Sequence, residues 1–222
     1  MKNKYIKLAN FSEDKFRQTI RCFSEDINAT KTASITKLHR NTINRIFIIL
    51  RKRIFDLSQE NTQENGVFEL DESYFGARRV RGKRGRGAAG KTPVFGLLKR
   101  HGNVYVQIVP NCSRSQLLPI IQGKILEGST INTDGWKAYD GLILNGYTHH
   151  RVYHSKNEFA RGKNHVNGIE GFWSFCKRRL SKFNGMNGKL FYLHLKECEF
   201  RFNHRHDDLY LLLLRELRNN PL

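Results

Sequence analysis

The spacing of apolar residues in this chain changes near residue 66, from helical intervals to alternation. Before that point, SEDKFRQTIRCFSEDI carries Phe16, Ile20 and Phe23 behind a Ser/Asp start, the pattern of a capped amphipathic helix. NATKTAS reads as a polar break. ITKLHRNTINRIFIILRKRIFDLSQ then predicts a short helix ending near His39–Arg40 and a second one from Asn41 or Thr42 through Ile43, Ile46, Ile49 and Ile54. Two helices meeting at a short polar turn, the second bearing Arg45, Arg51, Lys52 and Arg53, predict a helix-turn-helix that contacts DNA. A helical hairpin that only packs or dimerises fits the same pattern.

NTQENG (61–66) is a turn-rich connector, and beyond it VFELDESYF, TPVFGLLKR and NVYVQIVP read as strands, the last two joined by an HGN turn. SRSQLLPIIQGKIL predicts a helix, with Pro119 either bending it or marking its first turn. STINTD predicts a short buried strand, GWKAYDGLILNG a helix and YTHHRVYH another strand. From about His165 the chain is helical again, in HVNGIEGFWSFCKRRLSKF, KLFYLHLKECEFRFNHR and LYLLLLRELR. These elements divide the chain into a helical DNA-binding region over 1–62, a mixed domain over 63–205 and a C-terminal helix over 206–222. The order βββ-α-β-α-β-α is that of a ribonuclease H-like α/β fold, a mixed sheet flanked by helices, here behind a small all-α region.

Composition narrows the partner. The 222 residues carry 39 Lys and Arg against 20 Asp and Glu, a formal charge of +19, and such a surface binds polyanions by counterion release. With 39% hydrophobic and 11% aromatic residues the composition is globular, so a bare basic tail is excluded. No apolar run reaches 18 residues, so no membrane-spanning helix is encoded; MKNKYIKLANFSEDK lacks an apolar signal core, and the cytoplasm is the expected location. Cys22, Cys112, Cys176 and Cys198 are scattered without a CxxC pair, which argues against both a disulfide framework and a zinc ribbon. His149/His150 and His204/His206 lack cysteine partners at zinc-finger spacing and read as surface groups or phosphate contacts.

GRGAAGKT (85–92) matches the phosphate-binding loop pattern GxxxxGK[ST] in every position. That loop requires a helix opening at its Lys-Thr, whereas Pro93 and a strand-like VFGLL follow here, so a nucleotide site is not expected. The better reading is a basic loop between two strands. Arg78, Arg79, Arg81, Lys83, Arg84, Arg86 and Lys91 lie in it with no acid, and its glycines let it approach a phosphate backbone closely.

Three acids stand out against this basic background. Asp71 lies mid-strand, where a carboxylate is costly unless exposed or ligated; Glu69 shares its face and Glu72 points to the other. Asp134 ends a strand, where open α/β sheets place active residues, although it could equally cap a helix starting at Trp136. Glu170 shares a helix face with Trp173 and Lys177, or could simply pair with Ser174 or Lys177 in solvent. Sixty-two residues separate the first two acids and 35 the last two. Carboxylates gathered from separate elements repel unless a cation neutralises them, which points to hard divalent ions.

LDESYFGARR, RGKRGRGAAGKT, INTDGWKAY and NHVNGIEGFWSFCKRRL together resemble the DDE transposases of bacterial insertion sequences, over roughly residues 65–205. The resemblance implies that Asp71, Asp134 and Glu170 are the catalytic acids and hold two Mg²⁺ (or Mn²⁺) ions. It implies that Lys177, with Arg178 and Arg179 beside it, contacts DNA, with supporting roles for Trp136 and Asn167. It also implies a bacterial, nucleoid-associated enzyme that binds terminal inverted repeats, cuts there and joins the freed 3′-hydroxyls to target DNA as a homodimer or higher oligomer. Gly76-Ala77 stands where relatives often have Gly-Gly, and the cysteines of the zinc ribbon found in many relatives are absent. A ribonuclease H-like nuclease or resolvase without strand transfer, and a non-catalytic DNA-binding remnant, are the rival expectations.

Overall fold

The computed structural model of the chain describes residues 3–7, 10–59, 62–76, 90–134, 139, 141–152, 165–183 and 188–222. The chain forms two compact units, Met1–Ser58 with His204–Leu222, and Gln59–Asn203. The C-terminal helix thus belongs to the same unit as the N-terminal helices.

In the helical unit, α1 (Glu13–Ser24) opens on Ser12, whose side chain accepts the Lys15 N–H, and buries Phe16, Ile20 and Phe23 as the periodicity predicts. The next element differs from the expected one. α2 spans Ala29–Thr36, so most of NATKTAS is helix, capped by Asn28 and ended by Lys37 in the left-handed region. It buries Thr32 and Thr36, and the Thr36 hydroxyl donates to the Thr32 carbonyl at 2.9 Å, returning one polar group to the helix backbone. α3 (Arg40–Leu57) begins one residue before the expected start, with His39 Nδ1 accepting the Asn41 N–H. Two of its cations serve the interior. Arg51 is buried over the rings of Phe23 and Phe47, and Arg53 bonds Glu216 of α7 (Leu209–Asn219) at 3.0 Å. Arg45 and Lys52 are exposed.

The second unit is built on five strands, β1 (Val67–Phe75), β2 (Thr92–Lys99), β3 (Val104–Ile108), β4 (Thr130–Asp134) and β5 (Thr148–Val152), in the order β3-β2-β1-β4-β5. β1, β2 and β3 pair antiparallel, and β1, β4 and β5 pair parallel. This is the mixed sheet of the ribonuclease H-like fold, as the element order predicts. On one face Phe68, Leu70, Phe95, Leu97 and Ile131 pack with Leu117 and Ile121 of α4 (Arg114–Lys124). On the other, Val94, Leu98 and Val106 pack with Ile169, Phe172 and Trp173 of α5 (Asn167–Leu180) and Leu195 of α6 (Phe191–Asn203). Pro119 lies inside α4, which continues through it to Lys124.

The helix expected over GWKAYDGLILNG is a correction in its described part. Gly141 has φ +95°, and only a 3-10 turn at Ile143–Asn145 follows, closed by Gly146 at φ +79°. A left-handed glycine interrupts the backbone repeat that an α-helix needs. Residues 135–138 and 140 lie outside the described residues.

Candidate active site

β1 and β4 run parallel and are paired as far as Leu70 and Thr133. Asp71 and Asp134 are the next residue on each strand, so the register brings them to neighbouring positions on the same face of the sheet. Glu170 arrives from the first turn of α5, where a carboxylate is favoured by the helix dipole. All three line one cleft of about 660 Å³ with Glu72, Ser73, Tyr74, Lys91, Val166, Trp173, Ser174 and Lys177.

The acids interact electrically within this cleft. Burial pushes the Asp71 pKa up from 3.8 to about 6, and the charges of Asp134 and Glu170 push in the same direction. A bond from the Glu72 backbone N–H and the nearby Trp173 indole oppose the rise, although the indole N–H reaches no acceptor in hydrogen-bonding geometry. The donor set consists of hard carboxylate oxygens, the chemistry that suits Mg²⁺ or Mn²⁺. Among the described residues no three His, Cys, Asp or Glu side chains are drawn close enough to hold an ion as a group. The fit therefore rests on the donor chemistry and the shared cleft.

The aromatic wall depends on a missing side chain. Gly96 of β2 pairs with Asp71, and a Cβ at Gly96 would lie 2.6 Å from Trp173 Cζ2. The Trp173 ring therefore comes against the strand beside Asp71, with Glu170 one turn before it and Lys177 one turn after.

The other expected residues separate. Lys91 lines the cleft, and Thr92 after it opens β2, so the GxxxxGK[ST] match leads into a strand and cannot be a phosphate-binding loop. Arg78, Arg79, Arg81, Lys83, Arg84 and Arg86 lie outside the described residues, as does Trp136. Asn167 and Arg178 are exposed on α5 but do not border the cleft. Arg179 is a correction: it is buried, bonding Glu197 at 2.5 Å and Cys198 at 3.5 Å, and faces the α5–α6 interface rather than a phosphate.

Two contacts escape sequence reasoning. Glu72 accepts a hydrogen bond from the hydroxyl of Tyr139, a fully buried ring of the α4-side core. That bond ties β1 to the segment that follows Asp134. Glu69, which the strand alternation places only on the Asp71 face, is buried and bonds the start of α5. No local signal marks either, because the partners are 67 and about 100 residues away.

The fold defines the class as ribonuclease H-like, with an acidic cleft at the end of its central parallel strands. The chain belongs to the ISXO2-like transposase domain family, whose sequence profile matches residues 63–203. An uncharacterized transposase-like protein of Haemophilus influenzae is 42% identical over 119 residues, 54% of this chain and 96% of that protein. An uncharacterized protein in transposable element ISH50 of Halobacterium salinarum is 33% identical over 138 residues, 55% of this chain and 47% of its own length. Among solved structures, the HTLV-2 integrase catalytic core domain in complex with magnesium is similar at a TM-score of 0.39 and 14% identity, over 65% of this chain and 90% of that one. The Mos1 strand transfer complex is similar at a TM-score of 0.36 and 10% identity, over 95% and 76%. At those scores neither likeness bears on the role of any residue.

Proposed function

We propose that the protein is a DNA transposase that cleaves at the ends of its element and joins the freed 3′-hydroxyls to target DNA, with Asp71, Asp134 and Glu170 as its catalytic acids. The observation that carries this reading is the convergence of three carboxylates, from β1, the end of β4 and α5, on one cleft that also holds Lys91 and Lys177. Bound by these carboxylates, two Mg²⁺ (or Mn²⁺) ions would supply the Lewis acidity that activates a water or 3′-hydroxyl and neutralises the leaving oxygen.

Lys91 and Lys177 hold phosphates at the rim as point charges, and Trp173 keeps the wall beside Asp71 apolar. The basic loop through Arg78, Arg79, Arg81, Lys83, Arg84 and Arg86, together with Arg178, follows the DNA backbone. The helical region over 1–62, with Arg45 exposed on α3, recognises the terminal inverted repeat. Cutting two ends together requires at least a dimer on DNA. No helix among the described residues is long and apolar enough to cross a membrane, which suits action on the nucleoid in the cytoplasm.

The test is incubation of the protein with labelled DNA from either side of its gene, a plasmid target and Mg²⁺. Labelled plasmid that forms only with the divalent ion is the expected product. Cleavage without joining would assign the protein to nucleases, and DNA binding without metal binding or cleavage would make it a non-catalytic remnant.

A further inference from the structure

Glu69 lies two residues before Asp71 on the same face of β1, yet its side chain is only 1% exposed. Its Oε2 accepts the backbone N–H groups of Gly168 at 2.8 Å and Ile169 at 3.1 Å. Its Oε1 accepts from Arg100 Nε at 3.0 Å and lies 3.2 Å from His165 Nδ1. Arg100 in turn donates to the His165 carbonyl at 2.7 Å. The carboxylate therefore caps α5 from outside the helix, where the residue before it, Val166, provides no side-chain cap.

A local Ser or Asp would satisfy the same orphan N–H groups just as well. A cap borrowed from β1 does something more, because it fixes the first turn of α5 to the strand that carries Asp71. Ile169, held by the cap, immediately precedes Glu170. Gly168 supports the same geometry: a Cβ there would lie 2.9 Å from Glu69 Oε2 and 2.5 Å from Leu98 Cδ2. The carboxylate reaches the helix because no side chain stands in the way.

We infer that Glu69 is a positioning residue: by clamping the start of α5 to β1 it sets the separation of Glu170 from Asp71, and through it the affinity of the cleft for divalent cations. This deepens the proposed function and rests on it. Groups that orient metal-binding side chains without touching the ion commonly change affinity by about 10- to 100-fold when removed.

The test is Mn²⁺ titration of the full chain, followed by the electron paramagnetic resonance of the free ion, beside the Mn²⁺ dependence of DNA-end cleavage. Glu69→Gln keeps the volume but sets an amide where Arg100 needs an anion. Gly168→Ala keeps the anion and raises helix propensity while displacing the clamp. Both are expected to weaken Mn²⁺ binding by roughly tenfold or more and to shift the cleavage midpoint likewise, with KM for DNA unchanged and kcat recovered at high Mn²⁺. Glu199→Gln, which disturbs a buried carboxylate bonded to Lys196 and the Val106 N–H, should lower thermal stability without moving that midpoint. Wild-type Mn²⁺ midpoints in Glu69→Gln and Gly168→Ala would overturn the inference, and Gly168→Ala decides alone if Glu69→Gln does not fold. A wild-type protein that neither binds Mn²⁺ nor cleaves DNA would instead overturn the proposed function on which the inference stands.

Discussion

The two faces of β1 and β4 carry opposite chemistry. Toward α4, Phe68, Leu70 and Ile131 enter a continuous apolar core. Toward α5, the intervening residues are Glu69, Asp71, Ser73, Asn132 and Asp134, of which Glu69, Ser73 and Asn132 are buried. A strand of period two can hold both sets without compromise, because successive side chains never share a face. From these two strands the α4 face contributes mainly apolar burial. The α5 face, whose apolar packing comes mostly from β2, β3, α5 and α6, spends part of the folding free energy on holding charges near one another. The difference predicts that substitutions one residue apart will have effects of different kinds.

The largest effect belongs to the polar face. Asp134→Asn should lower metal-dependent cleavage by about 1,000-fold or more, since the chemistry relies on several kcal/mol of charge stabilisation. DNA binding should be retained or improved, because a charge that repels phosphate is removed. Cleavage assays and electrophoretic mobility shifts on one preparation measure both. Wild-type cleavage by this variant would remove Asp134 from the catalytic acids.

On the apolar face, Leu70→Ala should have the converse outcome. Leu70 is fully buried, so truncation should cost about 2–5 kcal/mol of unfolding free energy. At a temperature where the variant stays folded, the Mn²⁺ midpoint should match wild type. Urea denaturation and Mn²⁺ titration check the two halves. A shifted metal midpoint with little loss of stability would mean that the two faces are not independent, and the comparison would fail.

The apolar face is also what made the fold legible in the sequence. Phe68 and Leu70 alternating with Glu69 and Asp71 through VFELDESYF identify a strand. The polar face was readable only in part. Alternation placed Glu69 with Asp71, but nothing local distinguishes a solvated glutamate from one that clamps a helix 100 residues on. Charge pattern alone misled for Arg179, because a cation in KRR reads as exposed until its partner Glu197, from the next helix, is known. α2 was misread for a related reason: the Thr36 hydroxyl is buried by returning to the helix backbone, and no hydropathy pattern records that.

The smallest expected effect is a pH dependence that arises only on the polar face. The Asp71 pKa of about 6 in the fold lies above its ordinary value of 3.8, chiefly through burial and then through Asp134 and Glu170. A carboxyl raised in this way holds its proton more tightly folded than unfolded, so its contribution to stability is fully present below about pH 4 and is lost as pH rises through about 6. Other groups titrate in the same range, and Asp71→Asn, which lacks this proton equilibrium, removes them by difference. In metal-free buffer the Tm of wild type relative to Asp71→Asn should therefore rise as pH falls from about 7 to about 4. Divalent metal should compete with the proton for the same carboxylate, so wild-type Mn²⁺ affinity should weaken below about pH 6. A Tm difference that stays flat over this range would mean that Asp71 is open to water. Its face of the sheet would then hold no strained charge to set against the apolar one.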